Sequence, residues 1–472
     1  MSEARPPAFT PPVSTLGWAL SEGGVGKEQR EHARHDPMLS LSHEQVPLMN
    51  TEESAVPLDT PSPCRHWLRH ATALLLCLAA PLLHAEDRWQ RLDGFLQAST
   101  APGQFPGAVA LVEHDGRIVF QQHYGHADVA GARPMQADSI FRIYSMTKPV
   151  TSVAVLMLLE EGKLSLDDPM ARYLPEFADR KVVVSGDLQH PQTEDAPRAI
   201  TLRHLLTHTS GFAAASDTHR VATKLLTAAD VDSATSLQDV ARRLSTLPLA
   251  DAPGTHFHYE GSNTELLARV VEVVSGQPFA QFLQQRIFSP LAMHDTGFEV
   301  PLAQRGRVVE LPTSNDDGSL RVADTLSARN PGVRLKGYDS GAGGLYSTAA
   351  DYLKFAHMLL DDGRSGKQQL LARKTVELMM SDQLGGFEPA ISSYGAGEGF
   401  GLGGYVITNP AYRGKLGSVG QFGWSGAAST YFTIDRKEKL VAILLMQYLP
   451  SGDKALASPS TRFYNLVYQA IP

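Results

Sequence analysis

Apolar and polar positions alternate in two pairs of short segments, one pair near each end of the folded part of the chain. Residues 109–112 and 118–120 flank Asp115-Gly116, a residue pair typical of tight hairpin turns. Residues 431–434 and 440–446 flank a charged turn in the same way. Two hairpins at opposite ends of the chain predict one antiparallel sheet to which both ends contribute.

Between these hairpins the apolar positions recur with the spacing of helices. The segments are 150–161, 202–207, 264–275, 279–288 and 349–360. Sheet-forming ends with helices between them predict an α+β architecture, an antiparallel sheet flanked by helices. Within a domain spanning 86–472, we expect the sheet subdomain at about 86–160 and 335–472 and a mostly helical insertion at about 161–334.

The N-terminal part of the chain has a different character. Residues 1–64 are rich in Pro, Ser, Glu and His without sustained periodicity. This composition predicts either a disordered extension or a segment that lies upstream of the true translation start. Residues 65–85 combine a basic flank, an apolar run and a small residue before polar sequence, the pattern of a signal peptide. If translation starts at Met49, the signal lies at an ordinary distance from the N-terminus. The alternative interpretation of residues 65–85 is a short buried or membrane-associating helix. We expect a periplasmic or secreted protein.

Composition excludes several classes of protein. The chain has 472 residues, 43% of them hydrophobic, and a formal charge of −8, which argues against nucleic-acid binding. It contains no apolar stretch of about 20 residues that would span a membrane stably. Both cysteines, Cys64 and Cys77, precede the globular part. Structural disulfides, cysteine-ligated zinc and cysteine nucleophiles are therefore not expected in the rest of the chain.

The candidate chemistry begins at a Ser-x-x-Lys tetrapeptide. Pro149 fits the first turn of a helix, where its missing N–H costs little, and this places Ser145 at the helix N-terminus with Lys148 one turn later. A serine hydroxyl needs a neighbouring base, and burial beside a positive helix end favours the neutral amine that can serve as one. Taken alone, the tetrapeptide is weak evidence, because it occurs by chance in proteins of this size as a helix cap plus a surface lysine.

The surrounding sequence resembles the serine β-lactamase and penicillin-binding protein family, especially its class C-like branch with family VIII-type carboxylesterases. The matching segments are RIYSMTKP at 142–149, LSLDDP at 164–169, YLP at 173–175 and ITLRHLLTHTSG at 200–211. The resemblance covers roughly residues 90 to 448. It implies that Ser145 is the covalent nucleophile and Lys148 its activating base.

The family's second motif, Tyr-x-Asn, is matched in part. Tyr259 aligns with the tyrosine that shares proton transfer with the lysine, although a buried packing tyrosine is the alternative. The asparagine position falls on Gly261, and Asn263, two residues further on, is the candidate to bind substrate instead. Since this asparagine holds an amide side chain in β-lactamases, its displacement favours an ester substrate.

The third motif is normally Lys-Thr-Gly, or His/Trp-x-Gly in the esterase-like branch. Trp424, Ser425 and Gly426 resemble the latter and are expected to line the substrate site. Trp424 would replace the cation that meets a β-lactam carboxylate, although it could also be an ordinary core aromatic. By the same resemblance, the backbone N–H groups of Ser145 and Ala427 would form the oxyanion hole.

Three other signals are weaker. His204 and His208 have the spacing of two metal ligands, but no Glu follows His204 and no third ligand is nearby, so we expect no metal. The glycine-rich segment 399–404 precedes a strand-like run, whereas a dinucleotide fingerprint opens a helix. No Gly-x-Ser-x-Gly elbow supports an α/β-hydrolase.

The sequence therefore predicts a serine hydrolase that forms an acyl-enzyme on Ser145 without a metal or organic cofactor. The substrate is expected to be a small-molecule ester or amide, with a carboxylesterase for short acyl esters as the leading hypothesis. The alternatives are a β-lactamase or D-alanyl-D-alanine peptidase, and a non-catalytic binding homologue.

Overall fold

The computed structural model describes residues 88–214, 217, 220–387, 391 and 394–472. The predicted extension at 1–64, the signal-like segment at 65–85 and both cysteines lie outside these residues, so the expectations about them stay predictions. Of the helices described, none combines the length and the apolar character that crossing a membrane requires.

A seven-stranded antiparallel sheet is the centre of the fold. Its strands are β1 (Gly107–His114), β2 (Arg117–Gly125), β11 (Glu398–Phe400), β12 (Tyr405–Ile407), β13 (Phe422–Gly426), β14 (Thr430–Asp435) and β15 (Leu440–Met446). They are ordered β11-β12-β13-β14-β15-β1-β2. The first hairpin joins the last strand, with Ala108 opposite Met446. The predicted α+β class and the antiparallel sheet built from both ends are confirmed.

The sheet is covered on both faces. In β1, Val109 and Leu111 face the large core that contains the helical part, while Ala108 and Ala110 face a second core. The second core includes residues from the helix at 88–99 (α1) and from α12 (Ser460–Ala470). Because successive side chains point to opposite faces, burial on both sides makes β1 and β15 almost uniformly apolar.

Most other helices lie in the part of the chain between β2 and β11. They are α2 (Thr147–Glu160), α3 (Leu202–Leu206), α4 (Val221–Ala228), α5 (Leu237–Ser245), α6 (Gly261–Ser275), α7 (Phe279–Leu283), α8 (Leu326–Arg329), α9 (Ala349–Leu360) and α10 (Arg373–Met379), with α11 (Pro410–Arg413) following β12. The segment predicted as helical at 279–288 is helical throughout, with a π-helical turn, Gln284–Phe288, directly after α7. Helix α2 packs against α6, and this pair carries the site described below.

Short strands connect these helices. They form the pairs β3 (Phe141–Arg142) with β8 (Tyr346–Ser347), β4 (Lys181–Gly186) with β5 (Pro191–Asp195), β6 (Pro312–Ser314) with β7 (Leu320–Val322), and β9 (Arg364–Ser365) with β10 (Gln368–Gln369). Two of these pairs lie within the segment predicted as mostly helical. The glycine-rich segment 399–404 turns from β11 into β12, so it precedes a strand, as the sequence indicates.

Candidate active site

Ser145 lies in a 3-10 turn, Tyr144–Met146, directly before α2. The predicted helix start is therefore two residues early, although Pro149 does lie in the first helical turn, where it breaks no hydrogen bond. Tyr144 has a φ of +42°, a left-handed conformation that costs a non-glycine residue about 1 kcal/mol. The turn is held because Ile143 N donates to Leu345 O at 3.0 Å and Leu345 N donates to Thr147 Oγ1 at 3.2 Å.

The amine of Lys148 lies beside the Ser145 hydroxyl. Its Nζ is 3.2 Å from Ser145 Oγ and donates to the carbonyl oxygen of Ala342 at 2.8 Å. The Lys148 side chain belongs to a residue that is only 3% exposed, so bulk water does not compete for these contacts. A neutral amine in this place can accept the serine proton directly, which is the geometry that nucleophile activation requires.

Tyr259 and Trp424 complete the same cluster. Lys148 Nζ lies 4.8 Å from the centroid of the Tyr259 ring, and Trp424 Nε1 donates to Tyr259 Oη at 3.2 Å. The amine therefore meets the face of the phenol ring, while the indole binds its hydroxyl. The structure brings together one side chain from each of the three motifs, although they lie far apart in the sequence.

Trp424 has two roles that the sequence presents as alternatives. The residue is 4% exposed and belongs to the main core, and its ring centroid lies 5.2 Å from that of Phe400 and 5.5 Å from that of Tyr394. Phe257 extends this aromatic wall, 5.1 Å from Phe400. Because the indole N–H still reaches Tyr259, the tryptophan is a core aromatic and a member of the site. Sequence reasoning missed Phe257, Tyr394 and Phe400, since isolated aromatics do not show which other rings they pack against.

Asn263 is bound by protein groups. The residue is 1% exposed, its Oδ1 accepts from Ser210 Oγ, and its Nδ2 donates to Glu260 O at 3.3 Å and lies 3.3 Å from His208 Nδ1. Asn263 thus lies in the first turn of α6, directly after the segment that carries Tyr259. Its predicted contact with substrate stays a prediction.

The His208 ring packs against the Tyr259 ring. Its ring lies 4.8 Å from the Tyr259 ring, and its carbonyl accepts from His258 N at 2.8 Å. Burial and the nearby Lys148 hold the pKa of His208 well below its usual value, so the imidazole is neutral and its Nδ1 accepts from Glu260 N. The sequence places this histidine in a family motif without indicating that it contacts the tyrosine.

His204 has a different function from His208. It forms a capping box at the start of α3, where its Nδ1 accepts from Thr201 N at 3.1 Å and its own N–H donates to Thr201 Oγ1 at 3.3 Å. Burial and the nearby Arg198 and Arg203 lower the pKa of His204 to about 4. Both histidines thus have partners in the protein, and within the described ranges no three potential ligands are grouped to hold a metal ion.

An ion cluster fixes the segment before Tyr259. Asp251 accepts two hydrogen bonds from Arg220, at 2.7 and 2.9 Å, and its Oδ2 is 2.7 Å from His258 Nε2. Burial alone would raise the pKa of Asp251, but hydrogen bonds from His258 and Arg220 outweigh it and hold the pKa well below its usual value. The residue preceding Tyr259 is thereby anchored, which limits the movement of the tyrosine.

The end of β13 lies against the nucleophile turn. A Cβ on Gly426 would lie 2.3 Å from the carbonyl oxygen of Ile143, so only glycine permits this approach. Ser425 and Ala427, on either side of Gly426, are partly exposed. The segments that carry the N–H groups of Ser145 and Ala427 are thus in contact, and their function as an oxyanion hole stays a prediction.

Comparisons with known proteins agree with this geometry. Residues 92–464 match the Beta-lactamase family model. An uncharacterized protein of Mycobacterium tuberculosis is 34% identical over 391 residues, covering 78% of this chain and 96% of its own. Esterase EstB of Burkholderia gladioli is 30% identical over 392 residues, covering 79% of this chain and 94% of its own. The structure of EstCE1, a hydrolase with promiscuous acyltransferase activity, has a TM-score of 0.67 at 24% identity and covers 82% of this chain and 99% of its own. This chain belongs to the beta-lactamase family and is a serine hydrolase of the branch with esterase-like members.

Proposed function

We propose that the protein is a carboxylesterase that hydrolyses short acyl esters through an acyl-enzyme on Ser145. The observation that carries this proposal is the 3.2 Å contact between Lys148 Nζ and Ser145 Oγ, with the Tyr259 ring against the same amine. A buried amine, a hydroxyl and a phenol in this arrangement supply a nucleophile and two groups that can move its proton.

The first step forms the acyl-enzyme. Neutral Lys148 takes the proton of Ser145 as Oγ attacks the ester carbonyl carbon, and the carbonyl oxygen becomes an oxyanion facing the N–H groups of Ser145 and Ala427. The bond from carbon to the alcohol oxygen then breaks. The departing alkoxide receives the proton held by Lys148, delivered through Tyr259, and leaves as an alcohol.

The second step removes the acyl group. A water molecule gives its proton to the Lys148–Tyr259 pair while its oxygen attacks the acyl carbon, and the bond from that carbon to Ser145 Oγ breaks. Oγ takes the proton back, and the product is a carboxylic acid. The same groups serve as base and acid in alternation, so the enzyme returns to its starting state.

The residues around the site support this choice of substrate class. Ser145 is only 7% exposed, and the partly exposed rings of Phe257 and Tyr394, which pack against the buried Phe400 and Trp424, offer an apolar surface to an acyl chain. By family resemblance, Trp424 stands where β-lactamases place a cation for the substrate carboxylate. The relative EstB is an esterase. These features favour neutral esters over penicillins and peptides.

A fluorophosphonate probe tests the nucleophile. We expect it to label the native protein at Ser145 and to leave Ser145→Ala unlabelled. Lys148→Met is expected to slow labelling by about 10²–10⁴-fold, the usual contribution of a general base. Lys163→Met is the matched control, because Lys163 forms a surface ion pair with Glu161. Well-folded native protein without an adduct would favour a non-catalytic homologue.

A substrate comparison tests the ester assignment. We expect p-nitrophenyl butyrate to be hydrolysed with a higher kcat/KM than either p-nitrophenyl palmitate or a chromogenic cephalosporin. Turnover of the cephalosporin alone would replace the carboxylesterase proposal with a β-lactamase, since both share the acyl-enzyme chemistry.

A further inference from the structure

A buried carboxyl group lies next to the catalytic cluster and has no place in the mechanism above. Glu265 is on α6, six residues after Tyr259 in the sequence, and is only 4% exposed. A carboxyl group this deeply buried is costly unless it is hydrogen-bonded. Among the described residues, the groups that donate hydrogen bonds to it belong to one segment, 338–341, which lies after α8 in the chain.

The contacts show how tightly this segment is held. Glu265 Oε2 accepts from Gly341 N at 2.9 Å, and Oε1 accepts from Ser340 Oγ and, at 3.3 Å, from Tyr338 Oη. The segment's other side is tied to α2, because Thr151 Oγ1 donates to Gly341 O at 2.8 Å. Glu265 is therefore the α6 anchor of a segment that runs between two helices.

The next residue along this segment is the one that holds the catalytic amine. Ala342 O accepts from Lys148 Nζ at 2.8 Å, one residue beyond the N–H that Glu265 binds. A peptide plane is rigid, so fixing the Gly341 N–H and carbonyl restricts where the Ala342 carbonyl can lie. That carbonyl in turn sets the direction in which the lysine amine points.

We infer that Glu265 is a positioning residue, which holds Lys148 against Ser145 through the segment 338–342. This inference rests on the proposed function, in which Lys148 is the base. Glu265 itself contacts no reacting atom. Its removal is expected to act on the rate of acylation and to leave substrate affinity nearly unchanged.

Two substitutions separate hydrogen bonding from packing. Glu265→Leu keeps approximate volume but cannot accept a hydrogen bond, so the Gly341 N–H loses its partner. Glu265→Gln can still accept from Gly341 N while its amide donates to the two hydroxyls, which can act as acceptors. Burial raises the pKa of Glu265, and glutamine keeps the size of the side chain without adding a charge.

The test measures kcat and KM with p-nitrophenyl butyrate and the rate of fluorophosphonate labelling. For Glu265→Leu we expect kcat and the labelling rate to fall together by about 10- to 100-fold, as for a misplaced catalytic group, with KM within about twofold of the native value. Glu265→Gln should restore both rates to within about threefold of native. The matched control is Glu113→Leu, which removes another buried carboxylate, one paired with His357 at 2.6 Å.

The outcomes distinguish this inference from the proposed function. If native protein fails to react with the probe, the proposed function fails. If native protein reacts but Glu265→Leu has the kcat of Glu113→Leu, Glu265 is only structural and the inference is overturned. A Gln variant as slow as the Leu variant also overturns it. Should Glu265→Leu not fold, Ser340→Ala removes one bond to Oε1: a lower kcat at native KM supports the inference, and an unchanged kcat overturns it.

Discussion

Replacing Trp424 by phenylalanine isolates the hydrogen bond between the indole and Tyr259. The substitution keeps an aromatic ring beside Phe400 and Tyr259, whose centroids lie 5.2 and 5.1 Å from that of Trp424. It removes the indole N–H that donates to Tyr259 Oη at 3.2 Å. The phenol then keeps its place in the cluster but loses its donor.

The size of the effect depends on the charge that Tyr259 carries in the transition state. A hydrogen bond between neutral groups contributes about 1 kcal/mol, which corresponds to about a fivefold loss of kcat/KM. A hydrogen bond to a charged group contributes about 1.5–3 kcal/mol, or about 10- to 150-fold. If Tyr259 relays the proton as the mechanism proposes, its oxygen gains negative charge transiently, and the loss should fall in the higher range.

The assay follows hydrolysis of p-nitrophenyl butyrate between pH 5 and 9, together with thermal unfolding to show that the core is intact. Tyr405→Phe is the matched control, because its hydroxyl bonds Thr433 at 3.2 Å and its ring lies 6.4 Å from Trp424. We expect Tyr405→Phe to keep native kcat/KM. A Trp424→Phe enzyme within twofold of native would refute the reasoning, since the indole N–H would then contribute nothing to the transition state.

Two further predictions concern stability. The pKa of His204 in the folded protein is about 4, below its ordinary value of 6.5, so the unfolded chain binds the proton first as the pH falls. His204 therefore contributes stability that is fully present above pH 6.5 and is lost as the pH falls towards 4. The loss in the free energy of unfolding amounts to about 3 kcal/mol. Urea unfolding at pH 7 and 4.5 should show a smaller pH dependence for His204→Asn, and an unchanged dependence would contradict this. Gly341→Ala would place a Cβ 2.7 Å from Ala268 Cβ and should cost about 1–3 kcal/mol by overpacking. In Gly343→Ala the nearest atom is 3.6 Å away, so equal unfolding temperatures for the two variants would show that the segment adjusts freely.

The sheet could be predicted because its hairpins combine local turn residues with apolar strands. Asp115-Gly116 turns β1 into β2, and both Asp115 and Gly116 adopt the positive φ that such turns need. The cover on the second face could not be predicted, because β15 is apolar at every position and its pattern does not show what packs on either side. The helices α1 and α12 supply part of that cover, and neither was identified from the sequence.

The site was predictable only where side-chain identity carries the chemistry. Ser145 and Lys148 are three residues apart, so their contact follows from local geometry. The partner of Lys148 on the opposite side is a backbone carbonyl 194 residues away, at Ala342. Every residue has a carbonyl, so no sequence pattern marks this one. Glu265 was missed for a related reason, since a lone acidic residue on a helix is usually exposed.

The nucleophile turn itself is held by buried groups in several directions. Ile143 O accepts from Thr430 Oγ1 at 3.4 Å, and Met146 O accepts from the Tyr352 hydroxyl at 2.8 Å, so the peptide units on both sides of Ser145 are fixed. These bonds stabilise the left-handed Tyr144, whose strain would otherwise favour relaxation into a regular helix. The buried hydrogen bonds around this turn thus fix the backbone on which Ser145 lies beside Lys148, and the strain at Tyr144 is offset when the protein folds.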